Sequence, residues 1–254
     1  MIDEPDIPFD FTVLHEDERI IVIDKPHFLP TTPRGMWYRS TALIRLREQY
    51  GEPQITPAHR LDRDTAGVVV FVRDPAARGR YQMLFQEHRT VKTYECVAPS
   101  QPIMRPRFGT IERLTPPRVF PLRRRSRIVK DRGILQAYEE PGVVNAETVI
   151  ELGDVSKSNV SNVSYVSANE TAHRTQTHMR AYTLHPRKGK THQLRVHMNS
   201  LGLPILGDPM YPRIIDRAYD DFSNPLQLVA RTLEFSDPYT GEPCRFVSRV
   251  PLAW

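Results

Sequence analysis

The stretch 56-TPAHRLDRDTAGVVVFVRD-74 sets Asp62 and Asp64 among His59, Arg60 and Arg63, immediately ahead of the apolar run Val68-Val69-Val70-Phe71-Val72. That run, opened by Gly67 and closed by Arg73-Asp74-Pro75, predicts a buried strand over Gly67–Arg73. A carboxylate at the edge of a core is costly unless something stabilises it, and such costs are tolerated mainly where chemistry is done.

Outward from this strand, Arg19–Asp24 (RIIVID) reads as a second short buried strand stopped by Lys25-Pro26. Ser40–Tyr50 reads as a helix with Leu43 and Leu46 on one face and Gly51 as its terminator. Asp74-Pro75 supplies an N-cap and an N1 proline for a helix with Ala77, Tyr81, Leu84, Phe85 and His88 on one face, where His88 is expected to pack. Val91–Ala98, Ala146–Leu152 and Met179–Leu184 alternate as strands do. Gly189–Gly202 reads as a helix capped by Thr191, with Leu194, Met198 and Leu201 as its apolar stripe and His192, Arg195 and Asn199 on a polar face. Strands and helices mix without a βαβ period, which predicts an α+β fold with a mixed, mostly antiparallel sheet flanked by helices and loops.

A chain of 254 residues with 39% hydrophobic side chains can bury a sizeable core. The N-terminus is acidic, without a signal-like apolar segment, and no apolar run is long enough to span a membrane, so a cytoplasmic protein without membrane partners is expected. Cys96 and Cys244 are too few for a disulfide framework. His185, His192 and His197 are not spaced to converge on one ion, so no metal is expected. Between Arg105 and Arg132 ten Arg or Lys face only Glu112 and Asp131, a local charge of +8 that exceeds the +5 of the whole chain. Such an excess is the footprint of a polyanion-binding surface. The Ser/Asn/Val-rich segment 154–172 reads as a long hairpin or an inserted loop, like 102–133; one domain over 1–254 and a monomer are expected.

His59-Arg60-Leu61-Asp62-Arg63-Asp64-Thr65-Ala66-Gly67 resembles the HRLDRxTSG signature of RluA-type RNA pseudouridine synthases, with Ala66 where serine is usual. Asp24-Lys25-Pro26 is similar to that family's KP motif and Lys92-Thr93-Tyr94 to its K-x-Y element. Gly189–His197 (GKTHQLRVH) resembles its GRTHQIRVH motif, and Gly207-Asp208 with Tyr211 fits the GDxxY that follows. Four motifs in the expected order over nearly the whole chain are a strong signal, although any one alone is weak.

The resemblance implies a pseudouridine synthase fold and an enzyme that detaches uracil from ribose at N1, turns it and rejoins it through C5, without cofactor or metal. It implies Asp62 as nucleophile, Tyr94 as the aromatic against the target base and Arg195 as partner of Asp62. Whether Asp62 attacks C1′ or C6 stays open. Burial raises a carboxyl pKa by up to about 3 to 5 units, whereas a guanidinium within ~4 to 6 Å lowers it by about 1 to 3, so an arginine restores the anion a nucleophile requires. Asp64 is expected to serve the turn at Thr65-Ala66-Gly67. RNA contacts are expected from His59, Arg60, Lys92, Lys190, His192, Gln193 and the run Arg123, Arg124 and Arg125, with the planar group of Arg60 near the vacated base position. The implied partner is structured RNA, ribosomal (large subunit) or tRNA.

Two departures matter. Leu228-Val229-Ala230 replaces the Leu-His-Ala common before the last strand, and the N-terminal stretch is too short for an S4-type RNA-binding domain. Two rivals were weighed. An inactive RNA binder is disfavoured by the intact Asp62, Tyr94 and Arg195. A phosphohydrolase is suggested by the DxDxT spelling of Asp62–Thr65, but its strand should precede the first aspartate, and here the strand follows.

Overall fold

The computed structural model describes residues 4–153 and 178–252, so the 154–172 insertion lies outside the described residues. The chain divides into two compact units, Met1–Tyr94 with Asp216–Pro251, and Glu95–Ile215 with Leu252–Trp254.

The first unit begins with β1 (Thr12–Glu16), β2 (Ile20–Lys25), helix α1 (Ala42–Tyr50), the short β3 (Thr56–Pro57), β4 (Ala66–Val72) and helix α2 (Arg78–Gln86). Strand β5 (Val91–Pro99) passes into the second unit between Tyr94 and Glu95. That unit contains β6 (Thr110–Arg113), β7 (Leu122–Val129), β8 (Tyr138–Glu140), β9 (Ala146–Leu152), β10 (Met179–Pro186) and helix α3 (Gln193–Ser200). The chain then returns in β11 (Leu228–Ser236) and β12 (Pro243–Val247).

In the first unit the strand order is β1-β2-β4-β11, with β3 on β4 and β12 on β11. Every residue of β4 is buried, as its unbroken apolar run requires of a strand covered on both faces. It pairs antiparallel with β2 and parallel with β11, so the sheet is mixed, as the irregular order of elements predicts. Gly67 is obligatory at the start of β4: its φ is +119°, and a Cβ there would lie 2.3 Å from the carbonyl oxygen of Ala230 on β11. One face of the sheet buries Ile21, Ile23, Val69 and Phe71 under α1, while the other buries Val22, Val68, Val70 and Val72 under α2. Each such side chain contributes about 1.5–3 kcal/mol relative to exposure.

Helix α1 is capped at both ends, whereas α2 has no side-chain cap of its own. Thr41 caps α1, accepting from the N–H of Ile44 at 3.4 Å, and Gly51 closes it at φ 65°. Asp74 caps a 3-10 turn over Pro75–Ala77 that leads into α2. His88 departs from its expected packing: it lies past the end of α2, exposed, at φ 57°.

In the second unit the order is β10-β9-β7-β6, with β5 beside β10 and β8 sharing an edge of β7. The pairings of β10 with β9, β9 with β7, β7 with β6 and β7 with β8 are antiparallel. Strand β7, LRRRSRIV, falls inside the segment expected to be an insertion, yet it is a fully paired strand that buries Leu122, Arg124, Ser126 and Ile128 and turns the intervening residues outward. Helix α3 starts at Gln193 rather than at a Thr191 cap; His192 precedes it in the left-handed region without a side-chain cap. No described helix is long and apolar enough to cross a membrane.

Candidate active site

Asp62 is half-buried in the loop that joins β3 to β4. A local turn shapes this loop, with the Thr65 N–H donating to the Asp62 carbonyl at 3.2 Å. Three further carbonyls of the loop are each held by a side chain from 25-KPHFLPT-31. Thr31 Oγ1 donates to Leu61 O at 2.8 Å, Lys25 Nζ to Arg63 O at 3.2 Å, and His27 Nδ1 lies 2.8 Å from Asp64 O. The two motifs, 36 residues or so apart in sequence by the contacts they make, therefore form one clamp.

Lys25 is the centre of that clamp. It is fully buried, and its remaining donors reach Pro26 O at 3.0 Å and Leu29 O at 2.7 Å. Three carbonyl acceptors match the three N–H groups of an ammonium. Burial pushes its pKa down to about 7, opposed by the carboxylates of Asp64 and Asp62. Both aspartates thus act on one buried cation. Arg63 is a structural neighbour: its Nε donates to Phe28 O at 3.1 Å, one terminal nitrogen to Tyr219 O at 2.9 Å, and its guanidinium lies 4.8 Å from the Trp37 ring centre.

Tyr94, on β5, packs against the α1-side core of the same unit. Burial, reinforced by the charge of Asp62, raises its phenol well above the ordinary value, so the group is neutral at neutral pH. His59 accepts the Val70 N–H at Nε2, 3.2 Å away, and stacks on Phe85 at 4.1 Å. Burial, helped by the Lys92 charge, holds its pKa down at about 3, so it is a neutral structural group and not a cation for RNA. Lys92 is half-buried with its pKa lowered by burial, and Arg60 is exposed.

In the second unit Arg195, on α3, forms a two-pronged pair with Asp208: Nε to Oδ2 at 2.8 Å and Nη2 to Oδ1 at 2.5 Å, both side chains 1% exposed. The Tyr211 ring lies 5.3 Å from its guanidinium carbon. His192 Nδ1 is 3.0 Å from the Tyr211 hydroxyl. Gln193 is buried and donates to Glu147 O at 2.9 Å and Thr148 Oγ1 at 3.0 Å, so it anchors α3 to β9 instead of reaching RNA. His197, expected only as part of the motif, lies between Ser126 and Thr148 on the same seam, its pKa pushed well down by burial. Lys190 is exposed ahead of the helix.

The arginine run needs correction. Arg124 has no exposed surface; it grips Glu139 through both carboxylate oxygens at 2.7 Å and donates to the carbonyls of Phe108, Thr110 and Arg125. Its position faces the core because strand period, not charge, sets the side, and the burial is tolerated because every donor edge is met. Arg123 pairs with Glu112 and Glu147, and Arg125 with Glu147. Part of the local +8 is therefore offset by Glu139 and Glu140 on β8 and Glu147 on β9. The exposed cations of the run are Arg105, Arg107, Arg113, Arg118 and Arg132, which make no ion pair among the described residues.

Lys25, Thr31, Asp208 and Tyr211 carry geometry that sequence spacing did not assign. The KP and GDxxY matches marked Lys25, Asp208 and Tyr211 but not Thr31, and only the fold gives the four their partners.

Comparison with known proteins follows the same lines. The RNA pseudouridylate synthase family profile matches residues 19–200. An uncharacterized RNA pseudouridine synthase of Synechocystis sp. is 27% identical over 217 residues, covering 82% of this chain, which spans only 60% of that relative's length. The dual-specificity RNA pseudouridine synthase RluA of Haemophilus influenzae is 26% identical over 238 residues, 92% of this chain and 90% of the relative. The solved human RNA pseudouridylate synthase domain containing 1 superposes with a TM-score of 0.60 at 20% identity, covering 98% of this chain and 87% of that one, a likeness of fold. With the profile spanning most of its length, the chain belongs to the RNA pseudouridylate synthase family, in its RluA-type branch.

Proposed function

We propose that this chain isomerises a specific uridine in structured RNA, ribosomal RNA of the large subunit or tRNA, to pseudouridine, with Asp62 as the nucleophile. The C1′–N1 bond breaks, the base turns, a C1′–C5 bond forms, the C5 proton leaves and N1 gains a proton, so the conversion balances without oxidant or reductant. Asp62 attacks C1′ or C6. Tyr94 packs against the target base, a role suited to a phenol that burial keeps protonated. Arg195 is the third residue of the chemistry, and the exposed guanidinium of Arg60 stacks near the vacated base position. Lys190, Lys92, His192 and the exposed arginines near 105–118 meet the RNA backbone. The dual specificity in the Haemophilus relative's name extends the expectation to more than one RNA.

The observation that supports this reading best is the clamp around Asp62, in which three loop carbonyls are bonded by residues 25–31 and a neutral phenol within the same unit feels its charge. A nucleophile needs that rigidity. RNA tritiated at uridine C5 tests it: the protein should release tritium to water, and Asp62→Asn should stop release while leaving RNA affinity within a few-fold. Equal release by variant and parent would remove Asp62 from the role. Mapping modified uridines in RNA from cells lacking the protein then identifies the substrate.

A further inference from the structure

Arg195 does not stand alone in its unit. Asp208 holds the Nε and Nη2 edge of its guanidinium at 2.8 and 2.5 Å, and the carboxylate is itself fixed, since Oδ1 also accepts the N–H groups of Met210 at 2.8 Å and Tyr211 at 3.1 Å. The Tyr211 ring lies 5.3 Å from the guanidinium carbon, with its hydroxyl tied to the N–H and carbonyl of Ala137, both at 2.8 Å, and to His192 at 3.0 Å. An arginine on a solvated surface samples many rotamers; this one is held at an edge by charge and flanked by an aromatic ring.

We infer that Asp208 is a positioning residue for Arg195, fixing the orientation in which that guanidinium presents its remaining donors; the inference rests on the synthase reading above. The buried pair carries no net charge, so what Arg195 offers is aimed N–H groups rather than a broad positive field. Misaiming such donors slows a reaction without weakening substrate capture, because the RNA is held by other cations.

The test is single-turnover tritium release from C5-tritiated RNA at saturating protein, where the rate constant does not depend on what fraction of the protein is folded. Asp208→Asn removes the charge, and Asp208→Glu keeps the charge, and with it the fold, while displacing the carboxylate by one methylene. Both should lower the rate constant by about 10²-fold, the scale of a small misplacement of a reacting group, with RNA affinity within a few-fold of the parent. A parental rate constant in Asp208→Glu, or in a folded Asp208→Asn, would overturn the inference. So would a loss confined to RNA affinity. A parent protein that releases no tritium would instead overturn the synthase reading, and this inference with it.

Discussion

Lys25→Met removes the centre of the Asp62 clamp while keeping a long apolar side chain of similar length. The variant loses three hydrogen bonds from a charged donor, to Pro26, Leu29 and Arg63. At about 1.5–3 kcal/mol each, these amount to roughly 4–9 kcal/mol. Against this, burial lowers the lysine from 10.5 to about 7, and at about 1.4 kcal/mol per unit the ammonium it replaces was disfavoured by roughly 5 kcal/mol. The expected net loss is therefore on the order of 2 kcal/mol, a drop in melting temperature of about 4–8 °C for a chain of this size. The sign of the pH dependence gives a second check. Between the folded value, about 7, and the ordinary 10.5, the unfolded parent holds a proton that the folded parent has released. Parental stability should then rise with pH relative to Lys25→Met, by at most about 1.4 kcal/mol per unit. Melting followed by circular dichroism at pH 7 and pH 9 measures both. Equal melting temperatures at pH 7, or a gap between the two proteins that narrows at pH 9, would refute the account of Lys25 as a buried, carbonyl-bonded ammonium.

Gly67→Ala should destabilise by several kcal/mol, adding a left-handed strain of about 1–3 kcal/mol to a clash with the Ala230 backbone; a urea midpoint equal to the parent's would contradict the close β4–β11 approach. Arg124→Met leaves Glu139 buried without its partner and should lose about 3–5 kcal/mol, whereas Arg107→Ala should leave the melting temperature unchanged. If Arg107 meets phosphate, its removal lowers the slope of log affinity against log salt by about 0.7. The reverse pattern, a stability loss from Arg107 and a salt effect from Arg124, would invert the assignment of buried and exposed arginines.

Strand β4, helix α1 with its Gly51 end, and the turn capped by Asp74 were legible in the sequence, because apolar runs, caps and left-handed glycines act over a few residues. The motif order likewise singled out Asp62, Tyr94 and Arg195 without coordinates. What local pattern could not decide is where a charged side chain finds its partner. In LRRRSRIV the three consecutive arginines look alike, yet Arg124 is sealed against Glu139 while its neighbours turn outward to Glu112 and Glu147. Lys25, read as the end of a strand, proves to be a buried cation answering carbonyls up to 38 residues away, and Asp208 proves to hold Arg195. Backbone preference is a property of neighbours in the chain, whereas the stability of a buried charge depends on acceptors brought to it by folding, so the first could be read from the sequence and the second only from the tertiary structure.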